Sequence, residues 1–475
     1  MHEVSVSARS IEPFNELCGE ERVASIKRRA HDLRSALGSR AIWNINSTAT
    51  GGGVAEMLRS LLRYARGLGI DVRWLVIEPP SDFFRITKRL HNALHGFVGD
   101  GSPLGAPESA FYRQVMESEI TVLDTLVRPG DVVICHDPQT AGLVPHLLKI
   151  GAKVVWRCHI GHERHETQVD LGWDFLRPFL EDVPFAVFSR SAYAPSWLVG
   201  KRTVVLPPSI DPFAAKNQAL EDPAIRAILV NVGLIEGPPG FGVAAFARDD
   251  GSPGRVEHEA EVVRLGRPPS WETPLVIQVS RWDAMKDPIG VLDGFARFLK
   301  LEETPSKAEL ILAGPNVGAV ADDPESADVF GALERAWRDL PHPVRRAVHL
   351  ALLPMDDAEE NAAIVNALQR HAAVIVQKSL HEGFGLTVTE AMWKRRPVVA
   401  SAVGGIQDQI RNGVDGLLIE NPTDLGELAH LLRRVLSDKA LAERLGNAAY
   451  DRVRDNYLSL ISLERWADLV QQIVP

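Results

Sequence analysis

The sequence predicts an α/β protein made of two doubly wound domains that face a central cleft. Short β-branched runs alternate with longer segments of helical period, which is the pattern of a parallel sheet flanked by helices. The pattern occurs twice, and a stretch rich in Gly, Pro and charge, residues 233–274, lies between the two series. Since 475 residues suffice for two or three domains of roughly 100–200 residues each, we place the domains at 1–208 and 209–455.

The first series begins with a strand, a helix and a second strand. Its six strands are expected at 41–45, 72–77, 131–135, 153–156, 185–188 and 203–206. Between the first two strands, apolar residues at helical spacing predict an amphipathic helix. This stripe consists of Val54, Met57, Leu58, Leu61, Leu62, Ala65 and Leu68. The opening segment therefore predicts a βαβ unit.

The second series repeats the alternation. Its five strands are expected at 275–279, 309–313, 373–376, 397–400 and 416–419. The composition of 233–274 favours an exposed connector or insertion over a packed element. Helical periodicity continues from Leu425 to the end of the chain, and we expect the last helix, 456–475, to pack back on the first domain.

Charge and cysteine content exclude several classes of protein. With 52 Lys and Arg against 62 Asp and Glu, the net charge of −10 excludes a strongly basic nucleic-acid binder. No run approaches the ~18 apolar residues of a membrane span. Cys18, Cys135 and Cys158 are widely spaced and form no C-x-x-C pair, which indicates a reducing compartment. We expect a cytoplasmic protein with small-molecule partners, neither nucleic acid nor a membrane, and a homodimer is left open.

Two segments that follow predicted strands carry residues suited to phosphate. The first, 46–56, contains three consecutive glycines before a helix N-terminus, where backbone can approach a phosphate or sugar closely; a plain tight turn is the alternative. The second, 280–287, places Arg281 and Lys286 at the carboxyl end of a strand, where a diphosphate would lie. The alternative here is two surface cations paired with Asp283 and Asp287 in the same loop.

A third segment, 379–393, combines acids with glycines at the start of a helix. Glu382 could accept hydrogen bonds from sugar hydroxyls, and the N–H groups of 383–386 could bind hydroxyls or phosphate. Glu390 could accept from a ribose diol, or it could be an early-helix acid stabilised by the helix dipole.

Histidines are concentrated at 158–166, which reads CHIGHERHE. They could be metal ligands, but the run has no framework of carboxylates or thiolates at recognised spacing. We therefore expect no metal site, and we favour His159 as a sugar contact.

Taken together, these motifs resemble retaining glycosyltransferases with two Rossmann-like domains, the GT-B architecture, and most of all the trehalose glycosyltransferring synthases. The resemblance covers most of residues 40–455. Its separate blocks read WNINSTATGGGVAEML, CHDPQTAGL, WRCHIGH, SRWDAMK and HEGFGLTVTEAMW.

This resemblance implies a role for each matching residue in the second domain, the nucleotide-sugar side. Arg281 and Lys286 match the cations that neutralise the leaving diphosphate. Glu382 matches the acid that holds the hexose hydroxyls, and Glu390 matches the acid that binds the ribose. The backbone contacts to the donor are implied for Gly383, Phe384, Gly385 and Leu386.

In the first domain, the acceptor side, the resemblance implies four further residues. Gly52 and Gly53 match the loop that faces the diphosphate and sugar of the donor. Asp137 and His159 match residues near the acceptor and the reacting carbon, with His159 also counted among the catalytic residues. No metal and no cofactor is implied, because nucleotide-glucose is a co-substrate and protein cations take the place of a metal.

The implied function is a retaining glucosyltransferase that moves glucose from a nucleotide-glucose to glucose and forms trehalose. Within this class the alternatives are trehalose phosphorylase and a transferase with another small acceptor. From other classes, a nucleotide-sugar epimerase and a non-catalytic sugar-nucleotide binder stay open. Glycoside hydrolysis by Glu382 and Glu390 is disfavoured, because it would leave Arg281 and Lys286 without a role.

Overall fold

A computed structural model describes residues 1–49, 52–164, 166–198, 202–238, 240–301, 307–317 and 325–474. The chain divides into two units, one formed by Met1–Ser209 with Tyr457–Pro475 and the other by Ile210–Asn456. In the part that the structure describes, each unit contains a seven-stranded sheet, and a further two-stranded sheet is present.

The N-terminal sheet has the order β1-β3-β2-β4-β5-β6-β7. All neighbouring pairs are parallel except β1 with β3. The strands β2, β4 and β6 are buried along their whole length, as expected of a parallel sheet covered on both faces. The strands are β1 His2–Val4, β2 Ile42–Asn46, β3 Val72–Val76, β4 Val132–His136, β5 Lys153–Cys158, β6 Phe185–Phe188 and β7 Arg202–Val205.

Helices connect these strands, and their apolar stripes face the sheet. The predicted stripe between the first two parallel strands is confirmed, since Met57, Leu58, Leu61 and Leu62 are all buried in α3. The helices are α1 Phe14–Cys18, α2 Glu20–Leu37, α3 Gly53–Gly67, α4 Ser81–Leu94, α5 Ala106–Leu126, α6 Asp137–Thr140, α7 Val144–Lys149 and α8 Thr167–Leu180.

The C-terminal sheet has the order β10-β13-β12-β11-β14-β15-β16, with β10 antiparallel at one edge. A separate hairpin consists of β8 and β9. The strands are β8 Ala245–Ala247, β9 Pro253–Arg255, β10 Glu261–Val263, β11 Leu275–Val279, β12 Glu309–Pro315, β13 Val348–Leu353, β14 Val374–Gln377, β15 Val398–Ser401 and β16 Leu417–Ile419.

Nine further helices belong to the described part of this unit, and the last helix of the chain belongs to the first unit. The nine are α9 Asp222–Asn231, α10 Pro288–Leu301, α11 Glu325–Asp339, α12 His342–Arg346, α13 Ala358–His371, α14 Leu386–Trp393, α15 Ile406–Gln409, α16 Leu425–Ser437 and α17 Lys439–Asn456. The last helix, α18 (Ser459–Ile473), packs against α2 and α3. No described helix combines the length and the apolar character that crossing a membrane requires.

The α/β fold class with two doubly wound sheets is confirmed, and every predicted strand of both series is present with bounds that shift by a few residues at most. The strands that were not predicted are β1, β8, β9 and β10, which are three residues long, and β13, whose six residues are all buried.

The segment 233–274, for which we expect an exposed connector or insertion, contains three short strands. The segment adds β10 to the sheet, and its hairpin buries Phe246. Arg248 pairs with Asp357 at 2.5 Å and with Glu359 at 3.1 Å at the N-terminus of α13. Its charged residues thus make specific contacts with the packed unit, which composition alone does not reveal.

Candidate active site

Both seven-stranded sheets have a topological switch point, where connections from neighbouring strands run to opposite faces. In the N-terminal sheet this point lies between β2 and β4, and in the C-terminal sheet between β11 and β14. Open parallel sheets bind ligands outside the carboxyl ends of their strands at such points. Each unit therefore has its own candidate site, and the predicted residues belong to these strand ends.

The loop after β11 carries the two predicted phosphate-binding cations. Asp283 Oδ1 accepts a hydrogen bond from the Met285 N–H at 2.8 Å and shapes the short turn that ends in Lys286. Lys286 Nζ lies 2.5 Å from Glu382 Oε2, just beyond the carboxyl end of β14. Arg281 has a side chain that is 56% exposed, and its Nη2 lies 3.6 Å from Asp283 Oδ2. The structure thus joins Lys286 to Glu382, whereas Arg281 makes the surface ion pair considered above as the alternative.

Buried bonds fasten this loop to the segment that follows β14. The Gln278 side chain donates to Lys286 O at 2.9 Å and accepts from the Lys378 N–H at 3.0 Å. The Lys378 side chain is fully buried, and its ammonium pairs with Asp287. Asp287 has φ of 46°, in the left-handed region that non-glycine residues rarely adopt. The roles of Gln278 and Lys378 were not predicted, and Asp287 was expected only in a surface pair, because the contacts that join these residues link segments about a hundred residues apart.

The glycine-rich turn before α14 consists of Gly383, Phe384 and Gly385, and the helix begins at Leu386. Gly385 has φ of 87°, which suits glycine. Gln409 Nε2 donates to the carbonyl oxygens of Phe384 at 2.5 Å and of Gly385 at 3.3 Å. Because these carbonyl groups point at Gln409, and the first N–H groups of a helix have no intrahelical acceptor, the turn is suited to bind an anion or a hydroxyl.

Glu390 lies within α14 and is 3% exposed. Its Oε1 is 3.2 Å from Lys216 Nζ, whereas Oε2 is buried and has no hydrogen-bond partner among the described residues. One helical turn later, burial holds the pKa of Lys394 well below its usual value, against the opposing charge of Glu390. An unpaired, buried carboxylate oxygen is costly, so Glu390 is suited to accept from a ligand hydroxyl. As the fifth residue of the helix, Glu390 lies beyond the first turn, which argues against the dipole alternative.

In the N-terminal unit, two of the three glycines lie at the start of α3. Gly52 caps the helix with φ of 81°, and Gly53 is its first residue. Both are exposed, and the helix follows β2 at the switch point. Thr50 and Gly51 lie outside the described residues. The placement of Gly52 and Gly53 fits close approach by an anionic or hydroxylated ligand.

Asp137 and His159 follow the adjacent strands β4 and β5 and are joined directly. Asp137 Oδ1 accepts a hydrogen bond from the His159 main-chain N–H at 2.7 Å, and Asp137 has φ of 63°. Burial raises the pKa of Asp137 to about 7, although this hydrogen bond and the charge of Arg157 act in the opposite direction. The predicted acceptor residues are therefore neighbours, and Asp137 changes charge near neutral pH.

His159 is part of a buried row of polar side chains that sequence analysis missed. The rings of His136 and His159 stack with centroids 5.5 Å apart, and His136 Nδ1 lies 3.2 Å from His159 Nε2. His136 Nε2 lies 3.1 Å from Asn44 Oδ1. Burial lowers the pKa of His136 to about 3 and that of His159 well below 6.5, with Arg157 contributing to both. Both rings are neutral at neutral pH. The sequence signal that could have revealed this row is the position of His136 and His159 at the ends of adjacent strands.

The remaining residues of the histidine run do not join this row. His162 Nδ1 lies 3.1 Å from both the N and the O of Arg164, and the buried Cys158 thiol donates to Ile160 O at 3.2 Å. His165 lies outside the described residues. Among the residues that the structure describes, no group of three His, Cys, Asp or Glu side chains could hold a metal ion.

Two family models match the chain. The model described as "Trehalose synthase, N-terminal domain" matches residues 44–195. The model described as "Glycosyl transferases group 1" matches residues 358–452. The resemblance inferred from the motifs is therefore confirmed.

Similar proteins extend this result over the whole chain. A trehalose synthase from Pyrococcus horikoshii is 34% identical over 472 residues, which are 99% of this chain and 98% of the relative. A trehalose phosphorylase from Pleurotus pulmonarius is 27% identical over 96% of this chain, but the match spans 60% of the relative. The crystal structure of an α,α-trehalose-phosphate synthase (UDP-forming) from Burkholderia vietnamiensis has a TM-score of 0.67 at 17% identity and covers 91% of this chain and 99% of that one.

Proposed function

Because the chain belongs to the trehalose synthase family of glycosyltransferases, we propose that it is a retaining hexosyltransferase that moves glucose from a nucleotide-glucose to free glucose and forms trehalose. The observation that carries the proposal is the 2.5 Å contact between Lys286 and Glu382 at the β11/β14 switch point. A cation and a hydroxyl-binding acid side by side fit a sugar attached to a diphosphate.

The donor is assigned to the C-terminal unit. Lys286 and Arg281 would neutralise the diphosphate, for which fixed cations are suited. Glu382 would accept from the glucose hydroxyls, and the turn before α14 would supply N–H donors. The unpaired Oε2 of Glu390 supports its role as acceptor for a ribose diol, because two vicinal hydroxyls would satisfy the buried oxygen.

The acceptor glucose is assigned to Asp137 and His159, with Gly52 and Gly53 near the donor phosphate. The half-buried carboxyl of Asp137 is suited to orient a sugar hydroxyl. His159 is neutral, so it would contact the sugar without adding a charge. These roles follow from the family resemblance and agree with the placement of each residue at its strand end.

We further propose that transfer occurs by displacement on the front face of the donor sugar. The bond between the anomeric carbon and the phosphate oxygen breaks, and a bond from that carbon to the acceptor hydroxyl oxygen forms on the same face. The leaving phosphate oxygen takes the hydroxyl proton. Lys286 and Arg281 would stabilise the charge that develops on this phosphate, which is the task usually given to a metal ion.

Product identification tests the function. The purified protein is incubated with nucleotide-glucoses of different bases, each with free glucose, and NMR identifies the disaccharide and the configuration of its linkage. Trehalose together with a released nucleoside diphosphate is the expected result. Absence of disaccharide with every nucleotide-glucose, from folded protein, would refute the proposal.

Trehalose phosphorylase is the second candidate, and the likeness to the Pleurotus pulmonarius enzyme favours it. A phosphorylase would use glucose 1-phosphate in place of a nucleotide-glucose. Turnover of trehalose that depends on added inorganic phosphate would support this candidate. An epimerase would instead convert the nucleotide sugar without an acceptor, and a sugar-nucleotide binder would give no product.

A further inference from the structure

A charged side chain is buried behind the proposed acceptor residues. Arg157 lies on β5 and is 1% exposed. Its Nε lies 3.1 Å from His159 Nε2 and 3.4 Å from His159 Nδ1, and Nη2 donates to Leu206 O at 2.9 Å. The guanidinium carbon lies 5.5 Å from the ring centroid of Trp466 in α18. Arg157 thus contacts a predicted catalytic residue from the interior of the protein.

The row that begins at Arg157 has a defined hydrogen-bond direction. A guanidinium only donates, and a neutral imidazole has one donor and one acceptor nitrogen. The shorter of the two contacts, from Arg157 Nε to His159 Nε2 at 3.1 Å, makes Nε2 the acceptor and places the proton of the neutral His159 ring on Nδ1. His136 Nδ1 lies 3.2 Å from the same nitrogen, so the row converges on His159 Nε2. Arg157 therefore selects one tautomer of His159.

Burying this cation is unfavourable for the fold. Arg157 Nη1 is buried without a hydrogen-bond partner among the described residues, and burial lowers the pKa of Arg157 to about 10. A buried, incompletely paired charge commonly destabilises a protein relative to an apolar side chain of similar size. A contribution to function would explain its presence beside Asp137 and His159.

We propose that Arg157 is a positioning residue, which orients the His159 ring and, through the His159 main chain, Asp137, without touching either substrate. The proposal rests on the proposed function only where it assigns Asp137 and His159 to the acceptor. Since Arg157 Nε occupies the one acceptor nitrogen of neutral His159, His159 acts by its position rather than as a proton acceptor. This agrees with a mechanism in which the leaving phosphate takes the proton.

Nitrogen NMR of histidine-labelled protein tests the geometric part independently of any activity. In the wild type, His159 is expected to show one neutral tautomer at pH 7 and above, because burial lowers its pKa well below 6.5. Arg157→Met removes the donor and the charge, so the second tautomer should become populated and the pKa of His159 should rise. Unchanged His159 resonances in folded Arg157→Met protein would overturn the proposal.

Kinetics of the same variants test the consequence for the reaction. The groups that interact with Asp137 are Arg157 and Cys158 on β5 and the main chain of His159 after it, and His136 precedes Asp137 at the end of β4. In Arg157→Met the pH at which glucose binding changes should rise by about one unit or more, because a nearby positive charge is lost. At pH 7 the KM for glucose should increase about fivefold, because a rise of one unit from a pKa of about 7 lowers the ionised fraction of Asp137 from about a half to about a tenth, while the KM for nucleotide-glucose stays within about twofold.

Two further variants separate charge from orientation. Arg157→Lys keeps a cation but loses the planar Nε–H donor, so it should preserve the pH profile while changing the His159 tautomer. If Arg157→Met does not fold, the pH profile and the tautomer of Arg157→Lys test the proposal in its place. Arg73→Met is the matched control, since Arg73 stacks 5.0 Å from Trp43 in the same sheet and pairs with Asp71. An equal pH shift in Arg73→Met would also overturn the proposal. If the wild type transfers no glucose, the proposed function fails, whereas the NMR result still decides the role of Arg157.

Discussion

Replacing Lys286 by Met removes the charge that we assign to the leaving diphosphate. Two unit charges about 4 Å apart interact by about 4 kcal/mol at an effective dielectric constant of about 20. Loss of one such stabilising group from an active site typically lowers kcat about 10²–10³-fold, which corresponds to a rise of about 3–4 kcal/mol in the activation free energy. The side chain is 17% exposed, so water replaces its charge only in part. We therefore expect a decrease of that size in kcat.

The same substitution also breaks the ion pair with Glu382, whose side chain is 11% exposed. Ser379 Oγ still donates to Glu382 Oε2 at 3.3 Å, and loss of one partner of a buried acceptor costs at most about 1–3 kcal/mol. For a unit of about 150–250 residues, each kcal/mol lowers Tm by about 2–4 °C. The variant should thus remain folded at the temperature of the assay, with a loss of stability that is small beside the loss of turnover.

The assay is initial-rate transfer from nucleotide-glucose to glucose, with thermal unfolding measured in parallel. Arg248→Met is the matched control, because Arg248 makes a 2.5 Å ion pair with Asp357 in the same unit and is 29% exposed. It should lose stability to a similar degree but keep its kcat. A kcat for Lys286→Met within about threefold of the wild type would refute the assignment, since the expected loss is about a hundredfold or more.

Three other predictions concern the donor, the acceptor and metal independence. Glu390→Gln should raise the KM for nucleotide-glucose about 10-fold or more, which corresponds to the loss of a hydrogen bond to a charged group. The KM for glucose should not change. Titration calorimetry with the free nucleoside diphosphate should show the same loss of affinity, and unaltered affinity would contradict the ribose assignment. Because the pKa of Asp137 is raised to about 7, this carboxyl is protonated below that pH. The kcat/KM for glucose should therefore increase as the pH rises through about 7, where the carboxyl ionises, and Asp137→Asn should abolish this transition in the pH profile. Transfer should continue in excess EDTA, and a complete loss that added metal restores would show that the proposed cations do not suffice.

The strands and the phosphate-binding motifs could be predicted because their signals are local. Apolar runs such as those of β4, β6 and β11 are suited to burial on both faces of a parallel sheet, so composition alone indicates them. The glycines at 52–53 and 383–385 were recognised from the sequence because they precede segments of helical period. β13 is as apolar as the predicted strands and was missed, and the three-residue strands are too short to show an alternating pattern.

The contacts that complete the site could not be predicted, because they join distant parts of the chain. Gln278 contacts Lys378 only because β11 and β14 are neighbours in the sheet order, although a hundred residues separate them. Likewise, Asn44, His136 and Arg157 form one row only because β2, β4 and β5 are adjacent. Strand order results from long-range packing, and no local pattern encodes it.

By itself, the sequence determined that two parallel sheets form and which residue types stand at their carboxyl ends, since periodicity, glycine and charge act over a few residues. Only the tertiary structure decided which of these residues meet. It paired Lys286 with Glu382, left one oxygen of Glu390 unpaired, and buried Arg157 against His159. The physical reason is that the energy of a charge depends on its burial and its partners, and both are set by the packing of distant segments.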